Sequence, residues 1–237
     1  MKSTVPPIPL ENLALALLPV LVVIIIVHRW GLGVWTPLYA TARMLVQLVA
    51  VGYVLKYLFL TDSPWVVLAT LTIMLVVASW ISLRPVKHKS AKQYLWALLA
   101  IACGGGGVVF LMTQGVLELD KWYDPQRVIP LAGMSLTAAM NCVSLAAERF
   151  EAELGRDADH HEARRQAMHA SLITVTNSLL AVGLVSLPGL MTGQILAGIS
   201  PLIASRYQIM IMCMVFSAGG IAAAVYLWLV GDKSVES

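Results

Sequence analysis

Of the 237 residues, 59% are hydrophobic and 12% charged, against about 45–50% and about 25% in soluble domains. This excludes a water-soluble globular chain and points to an all-α, polytopic membrane protein. The formal net charge is only +3, and no basic stripe with interleaved aromatics accompanies it, so nucleic acid is not an expected partner.

Seven apolar runs follow in chain order: 10–27, 36–57, 65–81, 94–112, 128–147, 171–187 and 202–230. Each rises about 25 Å or more at about 1.5 Å per residue, enough to cross a bilayer. The expectation is about seven transmembrane helices in one membrane domain covering 1–237, without internal repeats. Only Lys2 supplies charge ahead of the first run, and VHRWG after it has no small-residue cleavage site. It is expected to stay as a helix and not to act as a signal peptide.

Basic residues set the orientation. Arg29, Arg84, Lys87, Lys89, Lys92, Arg149, Arg156, Arg164, Arg165 and Lys233 fall on one side; Lys2, Lys56, Lys121, Arg127 and Arg206 fall on the other. The richer set belongs in the cytoplasm, which places the N-terminus outside and the C-terminus inside a multi-pass protein of the inner (plasma) membrane.

Polar residues within the runs are few. Arg43 and Gln47 lie one turn apart in the second run. In the fifth, Thr137, Asn141, Ser144 and Glu148 share a face, and the sixth repeats the pattern with Thr174, Asn177 and Ser178. Two readings fit these stripes: a polar cavity, in which Asn141 and Asn177 face each other in the cytoplasmic half, or hydrogen bonding between helices.

The fourth run contains Gly104, Gly105, Gly106 and Gly107, and the seventh contains Ala218, Gly219, Gly220 and Ala222. Small residues of this kind let helices approach closely, and a hinge is the other reading. Met210, Cys213 and Met214 are expected on one face of the seventh helix, as soft metal ligands or as ordinary packing. The cysteines Cys103, Cys142 and Cys213 all lie in apolar runs and read as packing thiols with no disulfide framework.

The segment 148–169, ERFEAELGRDADHHEARRQAMH, is the charge-dense connector. Asp157, Asp159, His160, His161 and Glu162 are nearly adjacent, but adjacent residues do not share a helix face, and HHEARR lacks the second histidine of an HExxH zinc site. A solvated connector and a partner-docking element both fit. The chain has no GxxxxGK[ST] phosphate loop and no GxSxG elbow, so a transport protein without its own ATPase motif is expected in place of an enzyme.

The stretch VGLVSLPGLMTGQILAG, 182–198, is apolar but holds one proline and four glycines. The sixth helix is expected to end near Leu187 at the outer boundary, with Pro188 and Gly189 breaking it. Ser200 and Pro201 then read as N-cap and first position of the next helix. The segment between is too short to span and reads as a re-entrant or interfacial gate of Pro188, Gly189 and Gly193, with Gln194 touching the solute. A kinked helix that continues outward is the alternative.

ENLALAL (11–17), RMLVQLVAVGYVLKYLF (43–59), RVIPLAGM (127–134), VGLVSLPGLMTGQILAG (182–198) and YQIM (207–210) occur in the same order in, and closely resemble, the FetB-like (UPF0014) iron-export permeases of ABC transporters. The resemblance implies a permease subunit working with a separate cytoplasmic ABC ATPase, two permeases with two ATPases, the permease pair forming a homodimer. ATP would be used by the partner, with no cofactor bound by this chain. In that family the fifth loop carries an LGATP-like turn; here Leu154 and Gly155 are followed by RDADHHEARR. The docking residues therefore do not carry over singly, and the ATPase contact is expected among Glu151, Glu153, Arg156, Glu162, Arg164 and Arg165. Glu11, Arg43, Gln47, Asn141, Asn177 and Gln194 are expected on the transport path, and a metal site is not assigned. Export of a metal cation such as iron is the leading expectation. A nucleotide-independent carrier or channel is the alternative, as is an ABC permease for a lipid or nucleotide-sugar.

Overall fold

The computed structural model describes residues 8–86, 89–156 and 158–231. Lys2, Lys87, Asp157 and Lys233 lie outside the described residues. Among the described residues every regular element is helical: α1 (Leu10–Leu15), α2 (Leu17–Arg29), α3 (Trp35–Leu58), α4 (Pro64–Ser82), α5 (Ala91–Ile101), α6 (Gly107–Phe110), α7 (Pro125–Leu154), α8 (His160–Ala181), α9 (Gly189–Leu196) and α10 (Pro201–Gly231). Two π-helical stretches, Ala102–Gly106 and Leu111–Val116, flank α6, so α5 to Val116 is one continuous helical rod. The chain falls into two compact units that divide between Leu60 and Thr61.

Among the described residues, six helical stretches are long and apolar enough to cross a membrane: Glu11–Arg29, Trp35–Leu58, Pro64–Ser82, Ala91–Val116, Pro125–Leu154 and Pro201–Gly231. The sixth sequence run, 171–187, is not among them. Its helix, α8, begins at His160 with a charged half and stops at Ala181, which leaves only about half its length apolar.

In the first unit, α1 and α2 are separated by one turn at Ala16, where the Ala16 amide donates to the Leu13 carbonyl (3.1 Å). Pro19, which has no N–H to continue the ladder, sits in the first turn of α2. Neither α2 nor α3 buries side chains, apart from Leu58, as expected of helices whose apolar surface has lipid or another protein for solvent.

The second unit is built around α7, which packs against α10, α8 and α4. Helix starts are specified locally. Pro64 occupies the first turn of α4, Ser90 and Gln93 form a capping box on α5, and the Asp124 carboxylate accepts from the Gln126 amide (3.1 Å) ahead of Pro125. The Lys121 ammonium is ion-paired with Asp62 (2.6 Å), tying the start of α4 to the start of α7. The core is made of small residues: Ala97, Ala100, Ala139, Ala218 and Ala222 are fully buried beside Val143, Met214 and Tyr226.

The glycine run is a packing device. A Cβ on Gly104 would lie 2.5 Å from the Ala222 nitrogen and 2.7 Å from the Ala218 oxygen, and one on Gly105 would lie 2.9 Å from Leu136 Cδ2. Gly106 and Gly107 meet nothing within 4 Å. A π turn leaves carbonyls that an α turn would satisfy, and the buried Ser135 hydroxyl donates to the Gly105 carbonyl (2.9 Å).

Helices α7 and α8 run antiparallel: Cys142 Sγ donates to the Ser171 carbonyl (3.3 Å), and Phe150 packs with Ala163 and Ala167. Helices α8 and α10 are also antiparallel, since Gly220 sits against Leu172 and Gly231 against the Arg164 guanidinium. In that register Ala181 is level with about residue 211 of α10, so α10 runs about 15 Å beyond the end of α8.

Candidate functional site

In the first unit, Glu11 is exposed in the first turn of α1, and Arg43 is half-buried on α3. The Gln47 amide, turned with its oxygen toward the guanidinium, accepts from Arg43 Nε (3.1 Å) and Nη2 (3.2 Å). The one-turn spacing therefore produces a local pair, as i,i+4 geometry allows.

In the second unit, Thr137, Asn141 and Glu148 are exposed on α7, with Ser144 half-buried, and Thr174, Asn177 and Ser178 are exposed on α8. The Ser178 hydroxyl is spent on the Thr174 carbonyl (3.0 Å). Neither asparagine amide has a hydrogen-bond partner among the described residues. With Ser171 opposite Cys142, Asn177 lies about 8 Å further from the α7–α8 turn than Asn141, so the two are staggered in height, each on an exposed polar face of its own helix. Lipid satisfies no amide, so such a stripe suits a water-filled path or a polar contact with a further protein surface.

The segment after α8 is broken as its composition suggests, but the break comes at Ala181, six residues before Leu187. Val182 turns to extended geometry and Gly183 adopts φ +83°, the left-handed region in which glycine is unstrained. The Ala181 carbonyl accepts from the Val185 amide (2.8 Å) and the Gly183 amide donates to Ser186 (2.9 Å), closing a tight turn. Leu184 at its tip is 91% exposed. Pro188 then caps α9, an eight-residue helix packed on α10. It ends at Leu196, Gly198 turns the chain in the left-handed region (φ +91°), and Pro201 starts α10. This is a separate short helix and not a kinked continuation. Nothing lies within 4 Å of a Cβ built on Gly189 or Gly193. Gln194 is half-buried, with its amide oxygen unpartnered.

The connector 148–169 is largely helical: α7 runs to Leu154 and α8 starts at His160. Asp159 caps α8 by accepting from the His161 amide (3.3 Å). Charges pair along their own helices. Glu153 takes Arg149 (2.7 Å) and Arg156 (3.2 Å), and Glu162 accepts from Arg165 Nε and Nη2 (2.8 Å each) and from Gln166 (2.7 Å). The Arg165 bonds, followed by the Gln166 bond, hold the Glu162 carboxyl down at about 2, and the same pairing raises Arg165 above its ordinary value. Glu151 lies half-buried in the last turn of α7. Arg164 is turned away from the tip, against Gly231, with its Nε buried and unpartnered.

Met210 and Met214 are buried in the core while Cys213 is exposed, so the three do not share a face as a soft ligand set. Among the described residues, no three His, Cys, Asp or Glu side chains gather closely enough to hold a metal. Two buried amides escape a reading based on stripes: Gln208 Oε1 in α10 and Gln114 Nε2 near the end of the second π stretch, both unpartnered. Gln208 was visible as the polar member of YQIM, an isolated amide inside a long apolar run.

The chain matches the uncharacterised protein family UPF0014 over residues 10–234, which covers both units. It is 36% identical to a UPF0014 membrane protein of Synechocystis sp., over 80% of this chain and 81% of that one. It is 34% identical to the probable iron export permease protein FetB of Escherichia coli, over 96% and 92%, and 31% identical to the protein ALUMINUM SENSITIVE 3 of Arabidopsis thaliana, over 91% and 84%. No solved structure matches the chain.

Proposed function

Because the chain belongs to the UPF0014 family and is a multi-pass membrane protein, we propose that it is the permease subunit of an ABC transporter that exports a metal cation such as iron. The observation that carries this reading is the similarity to the probable iron export permease of Escherichia coli across nearly the whole length of both chains. Two copies would work as a homodimer with two cytoplasmic ATPase subunits, which supply the phosphate loop that this sequence lacks.

In this reading α8 is the seventh crossing, entered from the cytoplasm through its charged half, with the N-terminus outside and the C-terminus inside. Support comes from the second unit, where Arg84, Lys89, Lys92, Arg149, Arg156, Arg164 and Arg165 gather at one end and Lys121 and Arg127 at the other. The α7–α8 turn, with Glu151, Glu153 and Arg156 beside it, is the ATPase contact. The exposed stripe of Thr137, Asn141, Thr174 and Asn177 borders the transport path, and α9 with the turn before it is the outer gate. A helix interrupted inside a bundle is also found in secondary carriers, which keeps a nucleotide-independent carrier as the second reading. The absence of carboxylates from the apolar parts of α4, α7 and α10 favours a softer or organic cargo over a hard cation.

The test is co-expression with a candidate ABC ATPase from the same genome, followed by co-purification and by ATP hydrolysis in proteoliposomes with ferrous iron, other divalent cations or nucleotide-sugars. Arg156→Glu is expected to lower ATPase recovery at least severalfold while membrane insertion is unchanged. Recovery of no ATPase with the wild-type chain, together with solute flux in the absence of nucleotide, would establish the carrier reading instead.

A further inference from the structure

A groove of about 620 Å³ lies between the first half of α8 and the last turns of α10, lined by His161, Arg164, Arg165, His169, Leu172 and Trp228 among others. Its two walls differ in chemistry. The α8 wall is basic, with two guanidinium and two imidazole groups; the α10 wall is apolar, closed by Ala224, Leu227 and Trp228. Just beyond the basic residues the α8 sequence passes from charged, 160–169, to apolar, 170–181. That is the level at which a helix leaves headgroups and enters hydrocarbon. Trp228, 61% exposed, stands at about the height of Arg164, the place of an interfacial tryptophan.

Among the described residues the basic wall has few acceptors. Glu162 is the carboxylate engaged there among them, and it pairs with Arg165 and Gln166. The Arg164 side chain lies in the groove wall with its Nε buried and unpartnered, and a buried guanidinium donor without an acceptor is costly. An anion would supply both acceptors and countercharge there, and one with an apolar tail would also cover the Leu172–Trp228 wall. We propose that this groove binds an anionic phospholipid, its phosphate held by Arg164 and Arg165 and one acyl chain lying along Leu172, Ala224 and Trp228. Basic pockets between transmembrane helices at the headgroup level recognise lipids in this way. The site is independent of the cargo and of the ATPase, and it removes Arg164 from the ATPase contact.

The purified full-length chain, in mild detergent with equal phosphatidylglycerol and phosphatidylcholine, is examined by native mass spectrometry for retained lipid. Phosphatidylglycerol is expected to be retained selectively, with occupancy falling about fivefold for each charge removed in Arg164→Gln and Arg165→Gln. Arg127→Gln, at the opposite end of the unit, should change nothing. Brominated phosphatidylglycerol provides a readout without altering the arginines: it should quench the part of the wild-type fluorescence that Trp228→Phe removes. Equal retention of phosphatidylcholine, wild-type occupancy in a folded Arg164→Gln chain, or quenching that is unchanged in Trp228→Phe would each overturn the proposal.

Discussion

Replacing Gly104 by alanine sets a methyl group 2.5 Å from the Ala222 backbone nitrogen and 2.7 Å from the Ala218 backbone oxygen. Ordinary contact begins near 3.4 Å, so the rod and α10 must part by about 0.9 Å. The obstacle is backbone on both helices, and no side chain can rotate to admit the methyl. Overpacking of this kind costs about 1–3 kcal/mol. Gly107, three residues on, has nothing within 4 Å of its Cβ position, and there alanine is expected to gain about 0.5–1 kcal/mol of helix stability. The two variants share the same change in unfolded-chain entropy, so the difference between them reports packing alone. Gly104→Ala should come out about 1–3 kcal/mol less stable than Gly107→Ala. Unfolding of the purified chain by SDS titration or steric trapping measures it. Equal midpoints for the two variants would show that the rod and α10 are not held at the separation described.

Asn141→Leu and Asn177→Leu should each express normally, because neither amide has a partner to lose, but should lower transport-coupled ATP hydrolysis at least severalfold; unchanged activity in both would leave the stripe a purely structural surface. With Cys103 and Cys213 replaced by serine and the buried Cys142 kept, Leu184→Cys, Gly189→Cys and Gly193→Cys should react with an impermeant maleimide at rates that change with the nucleotide state of the ATPase. Identical rates in every state would remove α9 as a gate.

Apolar run length made most of the helices legible, and Ser200 with Pro201 marks the start of α10 where it occurs. Glycine spacing revealed the close approach at Gly104, Gly105 and Gly219, where Cβ atoms would collide with α10, α7 and Cys142 respectively. The early end of α8 was hidden because residues 182–187 are as apolar as the helix before them. Hydrophobicity cannot distinguish a helix from a turn whose conformation rests on one left-handed glycine. Charge density in 148–169 suggested a loop, yet i,i+3 and i,i+4 pairs such as Arg149–Glu153 and Glu162–Arg165 are what stabilise exposed helix. The stripes on α7 and α8 were readable as faces. Their level and their outward aspect depended on which residues of α7 and α8 pack together, and no single-helix pattern carries that information.

The two π-helical stretches beside α6 amount to residues inserted into an otherwise regular rod. Each extra residue advances everything beyond it by about 100° around the axis, so the side of the rod that Gly104 and Gly105 present to α10 and α7 is not continued by residues at simple heptad spacing. Deleting one residue within 102–106 would relax that stretch to α-helix and turn Val108, Val109 and Thr113, all now buried, away from the core. In this lineage, length variation in that helix is therefore a change of facing as much as of span, and alignment gaps between relatives would be expected to fall in the loops around it while the glycine run keeps its length.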